Sequence, residues 1–214
     1  RPPIVPKKFF HTAGNFREHE EESKNVNWSH EIAPWIVFFQ NVDAIVGPDE
    51  AVVYPEHLTE ELDYELELAV IIGKDGKWFG PEEAMDYVAG YVIFNDITAR
   101  DIQRREMRSG VFSFCKAIDT FCPLGPWIET ELDVSALRVQ THLNGDLKQD
   151  GSTADMVHDV PSLVAYVSSV MTLLPGDVIL TGTPEGVGPM NVGDEVEVTV
   201  AGIGSLTNKG VSRD

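Results

Sequence analysis

The sequence predicts a single α+β domain in which β-strands dominate, and three observations support this class. The 214 residues are 43% hydrophobic, which is enough for one well-filled core. Short runs rich in β-branched and aromatic residues recur along the chain. Two segments have the pattern of a helix and a charged segment at 15–24 is helix-competent, but strands dominate, so a repeated βαβ arrangement is not expected.

The predicted strands are seven short runs at 35–39, 51–54, 64–72, 87–94, 137–143, 178–181 and 195–200. Glycine, proline, aspartate and asparagine separate them, and Asn144-Gly145 between two alternating runs predicts a tight hairpin turn. The predicted helices cover 81–85, where proline stands in the first turn, and 160–171. No internal repeat or long linker divides the chain, so residues 1–214 are interpreted as one domain.

The formal net charge of −19 is the extreme feature of the composition. Nucleic acids and anionic membranes bind clustered lysine and arginine, so neither is expected as a partner. There is no run of 18 or more apolar residues, and Cys115 and Cys122 have no metal-finger or CxxC spacing. A cytoplasmic protein with free thiols is the simplest interpretation, and adaptation to high salt is a minor alternative for the charge.

An acidic strand is the most informative stretch of the sequence. Side chains alternate between the two faces of a strand, so Asp63, Glu65 and Glu67 share one face. Neighbours on that face are about 6.5–7 Å apart, which allows two carboxylates to bind one ion. A solvated strand face is the alternative, but residues 69–72 are apolar on both faces and indicate that the strand enters the core, where carboxylates need a cation or a shifted pKa.

A third carboxylate, Asp96, follows the apolar run at 91–94, where a strand end can project a side chain into a cleft. Oxygen ligands with no nearby histidine or cysteine favour Mg²⁺, Mn²⁺ or Ca²⁺ over zinc. A bound cation would also provide positive charge for an anionic substrate on this acidic protein.

Three motifs occur in order along the chain: DYELELAVIIGK at 63–74, NDITARDIQ at 95–103 and TGTPEGVG at 181–188. Together they resemble the fumarylacetoacetate hydrolase family, in its short form that carries only the catalytic domain. The resemblance implies a mixed β-sheet roll with a few short helices, and a homodimer that binds a small 2-oxo acid. It also implies that Glu65, Glu67 and Asp96 bind Mg²⁺ or Mn²⁺, with Ca²⁺ as a third option.

Further site residues are implied by the same resemblance. Residues 15–31 are similar to the lid of the family, in which His19 and Glu22 would form a catalytic dyad. The spacing of three places both residues on one face of a helix, although an exposed acidic helix with an incidental histidine is the alternative. Lys116 would neutralise substrate charge, and Gln103 and Thr183 would bind the substrate. We expect the lid to be mobile without ligand, because it lacks an apolar stripe.

Some positions depart from the family pattern. Gln40 stands where many relatives carry a lysine, and Ala13 stands where glycine is usual. The polar residues at 25–31 also differ from the acylpyruvase pattern. These departures concern the substrate and the lid, whereas the three metal-binding carboxylates are retained.

The resemblance implies chemistry through an enolate that a divalent metal stabilises. We expect hydrolysis of a C–C bond in a 3-acylpyruvate, with a water activated by His19 and Glu22. The alternative is an isomerase, hydratase or decarboxylase of 2-oxo dioic acids of the 2-hydroxyhepta-2,4-diene-1,7-dioate or oxaloacetate type, in aromatic catabolism. A catalytically inactive metal-binding protein is a third hypothesis, which the retention of the site residues disfavours.

Overall fold

The structure is a computed structural model that describes residues 1–19, 36–111 and 113–213. It confirms a β-dominated α+β fold with a curled mixed sheet and few short helices. The strands are β1 Phe9–Ala13, β2 Ile36–Phe39, β3 Ile45–Val46, β4 Ala51–Tyr54, β5 Leu62–Tyr64, β6 Leu66–Ile72, β7 Val88–Asn95, β8 Thr98–Ala99, β9 Cys122–Glu129, β10 Arg138–Leu143, β11 Asp146–Ser152, β12 Val178–Leu180, β13 Gly188–Pro189, β14 Glu195–Val200 and β15 Gly204–Ser212.

Three sheets contain these strands. The largest has seven strands in the order β2-β1-β12-β6-β7-β9-β3, and the second has five in the order β11-β10-β14-β15-β4. A small sheet, β13-β5-β8, lies beside the start of β6. Parallel pairs join β1 to β12, β3 to β9 and β4 to β15, whereas the other strand pairs are antiparallel.

The seven-stranded sheet is buried on both faces at its central strand β6, where every residue is buried. Leu66, Leu68, Val70 and Ile72 point into the larger apolar core, together with residues of the five-stranded sheet. The alternate residues of β6 point into a second, smaller core on the opposite face. This confirms that the acidic strand continues into the core, as its apolar end predicts.

The helices are short. They are α1 Pro81–Ala84, α2 Arg100–Met107 and α3 Val160–Val170, with 3₁₀ turns at Val42–Ala44, Met85–Tyr87, Phe114–Lys116 and Thr153–Asp155. Helix α3 begins at an N-cap, where the Asp159 side chain accepts a hydrogen bond from the Ser162 backbone N–H. Among the described residues, no helix has the length and apolarity needed to cross a membrane.

The hairpin turn is confirmed at Asn144-Gly145, which joins β10 to β11. Both residues have positive φ angles, 52° and 86°, as a two-residue hairpin turn of this kind requires. Both cysteines are buried free thiols, as predicted. The predicted strand at 64–72 is divided, because Glu65 separates β5 from β6 and its backbone N–H bonds to the Asn95 side chain at 3.1 Å.

Candidate active site

The site is an extension of the smaller core at one end of the large sheet. That core contains Phe9 of β1, Ala69 of β6 and Phe94 of β7. Two residues away from each of these positions, the apolar side chains give way to His11 of β1, Glu67 of β6 and Asp96, which directly follows β7. One ligand atom from each of these three buried side chains lies within 4.8 Å of the other two. Strand alternation therefore brings three polar groups together on an otherwise apolar face.

Lys116 joins two of the predicted metal ligands. Its ammonium group donates to Glu65 Oε2 at 2.9 Å, to the Thr98 hydroxyl at 2.7 Å and to Asp96 Oδ2. Only 3% of Lys116 is exposed, so its side chain is buried. A buried ammonium is costly unless it is paired, and these acceptors provide the pairing.

Two polar contacts hold the loop that carries Lys116. The Gln40 side chain donates to the Lys116 carbonyl at 2.8 Å, so this departure from the family pattern supports the backbone at the site. Glu106, near the end of α2, accepts hydrogen bonds from the backbone N–H groups of Ser113, Phe114 and Cys115 at 3.0–3.2 Å. The 3₁₀ turn before Lys116 is thereby tied to α2.

Arg100 forms a second bridge, from the first residue of α2. It donates to Asp63 Oδ2 at 2.8 Å, to Glu65 Oε1 at 2.5 Å and to Gln103 Oε1 at 2.6 Å. Both oxygens of Glu65 are therefore engaged, one by Arg100 and the other by Lys116. Because the oxygen of Gln103 accepts from Arg100, its amide nitrogen is the group that can donate to a substrate.

The electrostatic environment separates the carboxylates. Burial raises the pKa of Asp96 to about 7, although the Lys116 charge acts in the opposite direction. Burial and the Asp96 charge raise the pKa of Glu67 well above its ordinary value. Burial also acts to raise the pKa of Glu65, but the charges of Lys116 and Arg100 outweigh it and hold that pKa below its usual range. Burial, assisted by Lys116, lowers the pKa of His11, which favours a neutral imidazole.

These residues fit a divalent cation. Four buried carboxylates (Asp63, Glu65, Glu67 and Asp96) face two cationic side chains (Arg100 and Lys116), which leaves two negative charges when all four acids are ionised. Asp96 Oδ1 is a buried oxygen with no hydrogen-bond partner among the described residues. Without an ion, protonation of Glu67 and Asp96 removes these two negative charges. A divalent ion would balance them with both acids ionised, and carboxylate oxygens are suitable ligands for such an ion.

Gln149 connects the acidic strand to the predicted substrate-binding loop. It is fully buried, and its Oε1 accepts from the Leu66 backbone N–H at 3.1 Å and from the Thr141 hydroxyl at 2.8 Å. Its Nε2 donates to the Thr183 hydroxyl and to the Pro184 carbonyl, each at 2.9 Å. On the same loop, the Gly182 backbone N–H donates to Glu67 Oε2 at 2.8 Å. Thr183 is thus held beside the carboxylates, as the predicted binding role requires.

The start of the predicted lid is anchored. Asn15 donates to the carbonyls of Thr181 and His158 at 2.8 and 3.0 Å, and it accepts from the His158 backbone N–H at 2.8 Å. Phe16 is 2% exposed and forms a β-bridge with Met156. The first two residues of the predicted lid are therefore attached to the site, because one is hydrogen-bonded to the site loop and the other is buried, and the mobility of the lid stays a prediction.

The predicted dyad is only partly described. Residues 17–19 are helical and His19 is half-buried. Its charge contributes to the low pKa of Glu65, after the larger effects of Lys116 and Arg100. Glu22 lies outside the described residues, as does most of the predicted lid, so the pairing of His19 with Glu22 stays a prediction.

The structure adds His11, Arg100 and Gln149 to the site residues predicted from the sequence. His11 had a usable signal, since it alternates with Phe9 in a short apolar run that ends in a polar segment. Arg100 lies within the second family motif and is a basic residue on an otherwise acidic chain. Gln149 lies in a polar strand, and the sequence gives no sign that its amide reaches β6.

The chain belongs to the fumarylacetoacetate hydrolase family of enzymes. The sequence-family model of the fumarylacetoacetate hydrolase C-terminal domain matches residues 8–211, which confirms the resemblance. The fold agrees, because a solved structure named 5-carboxymethyl-2-hydroxymuconate delta-isomerase, from Mycobacterium smegmatis, aligns with a TM-score of 0.88 and 42% identity. That alignment covers 100% of this chain and 82% of the isomerase chain.

Two further relatives show the range of chemistry in the family. Oxaloacetate tautomerase YisK of Bacillus subtilis is 41% identical over 184 residues, which are 81% of this chain and 60% of the relative. The fumarylpyruvate hydrolase of Pseudomonas aeruginosa, solved with Mn²⁺ and pyruvate, aligns with a TM-score of 0.89 and 28% identity, over 99% of this chain and 91% of that chain. Hydrolases and isomerases therefore both occur among the relatives.

Proposed function

We propose that this chain is a divalent-metal-dependent enzyme that transfers a proton at the carbon next to the keto group of a small 2-oxo acid, as a tautomerase or isomerase. The observation that carries the proposal is the buried cluster of four carboxylates and two cationic side chains, which needs two further positive charges for balance. The burial of such a cluster costs free energy unless the cluster binds a cation, either alone or together with an anionic substrate.

The substrate class is supported by the relatives. The tautomerase and the isomerase, named for oxaloacetate and for a hydroxymuconate, are 41% and 42% identical to this chain. The hydrolase, whose structure contains pyruvate, is 28% identical. We therefore prefer proton transfer on a 2-oxo dioic acid as the proposed reaction. C–C bond hydrolysis, which was the reaction expected from the sequence, becomes the second candidate.

The ion would be held by Glu67 and Asp96, with Glu65 as the third predicted ligand. A bound Mg²⁺ or Mn²⁺ would polarise the keto oxygen of the substrate and stabilise negative charge on it. Lys116, 2.9 Å from Glu65 Oε2, would neutralise the substrate carboxylate. The Gln103 amide nitrogen and the Thr183 hydroxyl, which is held by Gln149, would orient the substrate by hydrogen bonds.

His19 is the proposed acid–base group. Its charge acts on Glu65 of the carboxylate cluster, and imidazole accepts or donates a proton at neutral pH more readily than the other side chains of the site. It would move the proton between the substrate carbon and water, and the anchored residues Asn15 and Phe16 would fix the base of the segment that carries it.

C–C bond hydrolysis is the second candidate, because the fumarylpyruvate hydrolase shares this fold and binds Mn²⁺. Hydrolysis adds a requirement for an activated water, which the predicted pairing of His19 with Glu22 would supply. A rate of acylpyruvate cleavage above the rate of enol–keto conversion would favour this candidate.

The test is a substrate panel with the Mg²⁺-loaded protein. Oxaloacetate enol, 2-hydroxyhepta-2,4-diene-1,7-dioate and an acylpyruvate are followed by loss of enol absorbance and by proton NMR in D₂O. We expect faster enol–keto conversion and deuterium incorporation next to the keto group for the dioic acids. The Glu67→Gln variant should lose this activity, whereas Glu195→Gln on the exposed edge of β14 should retain it. Full turnover in excess EDTA, or none on any substrate, would contradict the proposal.

A further inference from the structure

His11 is a buried imidazole with an unmet nitrogen. It is 1% exposed, its Nδ1 lies 3.3 Å from Asp96 Oδ2, and its Nε2 has no hydrogen-bond partner among the described residues. The ring is stacked on Phe38 at 4.8 Å between centroids, and it meets Phe94 edge-on at 5.7 Å. These aromatic contacts restrict rotation of the ring.

Neither neutral form of the imidazole is satisfied by the protein. If the proton is on Nδ1, the ring donates to Asp96 and the Nε2 lone pair remains without a partner. If the proton is on Nε2, this N–H has no acceptor and the Nδ1 lone pair faces a carboxylate oxygen. A buried polar atom without a partner costs about 1–3 kcal/mol. The surrounding described residues therefore leave one ring nitrogen of His11 without a partner, and a bound group would satisfy it.

We propose that His11 is a nitrogen ligand of the divalent metal, together with Glu67 and Asp96. The three side chains approach within 4.8 Å, Asp96 Oδ1 is also without a partner, and Glu65 has both oxygens engaged by Arg100 and Lys116. The inference rests on the metal-dependent function proposed above, and it changes the expected ligand set from oxygen alone to oxygen and nitrogen.

The nitrogen ligand has a consequence for metal choice. Magnesium and calcium favour oxygen ligands, whereas imidazole favours transition metals. His11 should therefore shift the preference of the site from Mg²⁺ towards Mn²⁺ and the heavier divalent transition ions. This shift is a property of the binding equilibrium and can be measured without any substrate.

Pulsed EPR of Mn²⁺ in the full chain tests the ligand directly. The protein is prepared with ¹⁵N only in the imidazole rings of its histidines, so that coupling of ¹⁵N to bound Mn²⁺ reports an imidazole ligand and excludes backbone nitrogen. We expect the coupling in the wild type and in His57→Phe, an exposed control, and its absence in His11→Phe. Phenylalanine suits the aromatic surroundings of His11 while it removes both nitrogens.

Four further variants identify which histidine is seen. The coupling should persist in His19→Phe, His30→Phe, His142→Phe and His158→Phe, and its loss in any of them would assign the ligand to that residue and overturn the inference. If His11→Phe does not fold, persistence in these four variants and in His57→Phe leaves His11 as the remaining one of the six histidines.

Metal titration supplies the second readout. We expect His11→Phe to reduce the ratio of Mn²⁺ to Mg²⁺ affinity by at least about 10-fold, the lower end of the effect of removing a group around a metal ion. Mn²⁺ that binds with no histidine coupling in the wild type would refute His11 as a ligand and leave the proposed function intact. Failure of the protein to bind any divalent metal would refute both.

Discussion

Removal of the metal should make the stability of this protein fall as the pH rises. The perturbation is chelation by EDTA, followed by a change of pH from 5 to 8. Burial raises the pKa of Asp96 to about 7, compared with 3.8 for the ordinary carboxyl. Between these two values the folded protein binds a proton that the unfolded chain has released. Stability therefore decreases with increasing pH across this window, and the loss is complete above pH 7.

The magnitude follows from the size of the shift. One pKa unit corresponds to about 1.4 kcal/mol, so a shift of about three units gives up to about 4 kcal/mol between pH 4 and pH 8. The raised pKa of Glu67 acts in the same direction. The lowered pKa of Glu65 acts oppositely, but its contribution is lost only below about pH 4.5, so it lies outside this window.

The assay is urea unfolding at pH 5, 6, 7 and 8, in EDTA and in Mn²⁺, for the wild type and for Asp96→Asn. The amide resembles the protonated carboxyl, so the stability of the variant relative to the wild type should increase from pH 5 to pH 8 in EDTA. The net charge of −19 destabilises both proteins at high pH and cancels in the comparison. Mn²⁺ at 100 times its Kd should add about 2.7 kcal/mol to the wild type alone. Parallel pH profiles for the two proteins in EDTA would refute the reasoning.

Three other predictions follow from the structure. His19→Ala should reduce both enol–keto conversion of oxaloacetate and acylpyruvate hydrolysis by about 10²–10⁴-fold, and small losses on both in steady-state assays would show that His19 is not the acid–base group. Gln149→Leu should lower the free energy of unfolding by about 2–4 kcal/mol, because several buried partners lose their bonds, and an unchanged urea midpoint would contradict this. We also propose a homodimer through edge strand β2, where Phe39 is 54% exposed beside exposed Val170. Sedimentation should show a dimer that Phe39→Ser weakens, and a wild-type monomer at micromolar concentration would refute it.

The strands that could be predicted are those with an apolar pattern of their own. The boundaries of β4 and β14 agree with the predicted runs at 51–54 and 195–200, and those of helix α3 differ by one residue. Strand β11, with the sequence DLKQDGS, is polar and becomes a strand through its pairing with β10. Helix α2 was not predicted, because its charged sequence hides the buried side that Arg100, Ile102 and Gln103 form.

The site shows the same division between local pattern and tertiary contact. The positions of Glu65 and Glu67 could be predicted from strand alternation, and Asp96 from the end of the next strand. The placement of Lys116 between Glu65 and Asp96 depends on a loop that Glu106 and Gln40 hold, and no local pattern of the sequence indicates those bonds. These residues were identified by their resemblance to the family, whereas His11 could have been found only from the alternation of side chains on β1.

The charge distribution bears on how so acidic a protein would bind the proposed anionic substrate. With 35 acidic and 16 basic residues, the exterior repels a 2-oxo dioic acid rather than attracting it. Two of the few basic side chains, Arg100 and Lys116, are nevertheless buried at the carboxylate cluster, where low polarity strengthens their interactions. Each donates to two of the four carboxylates, so together they offset part of the negative charge of the cluster without reversing it. The remaining positive charge that the substrate needs has to come from a bound cation, and for this reason substrate binding should depend on the metal even before any chemical step.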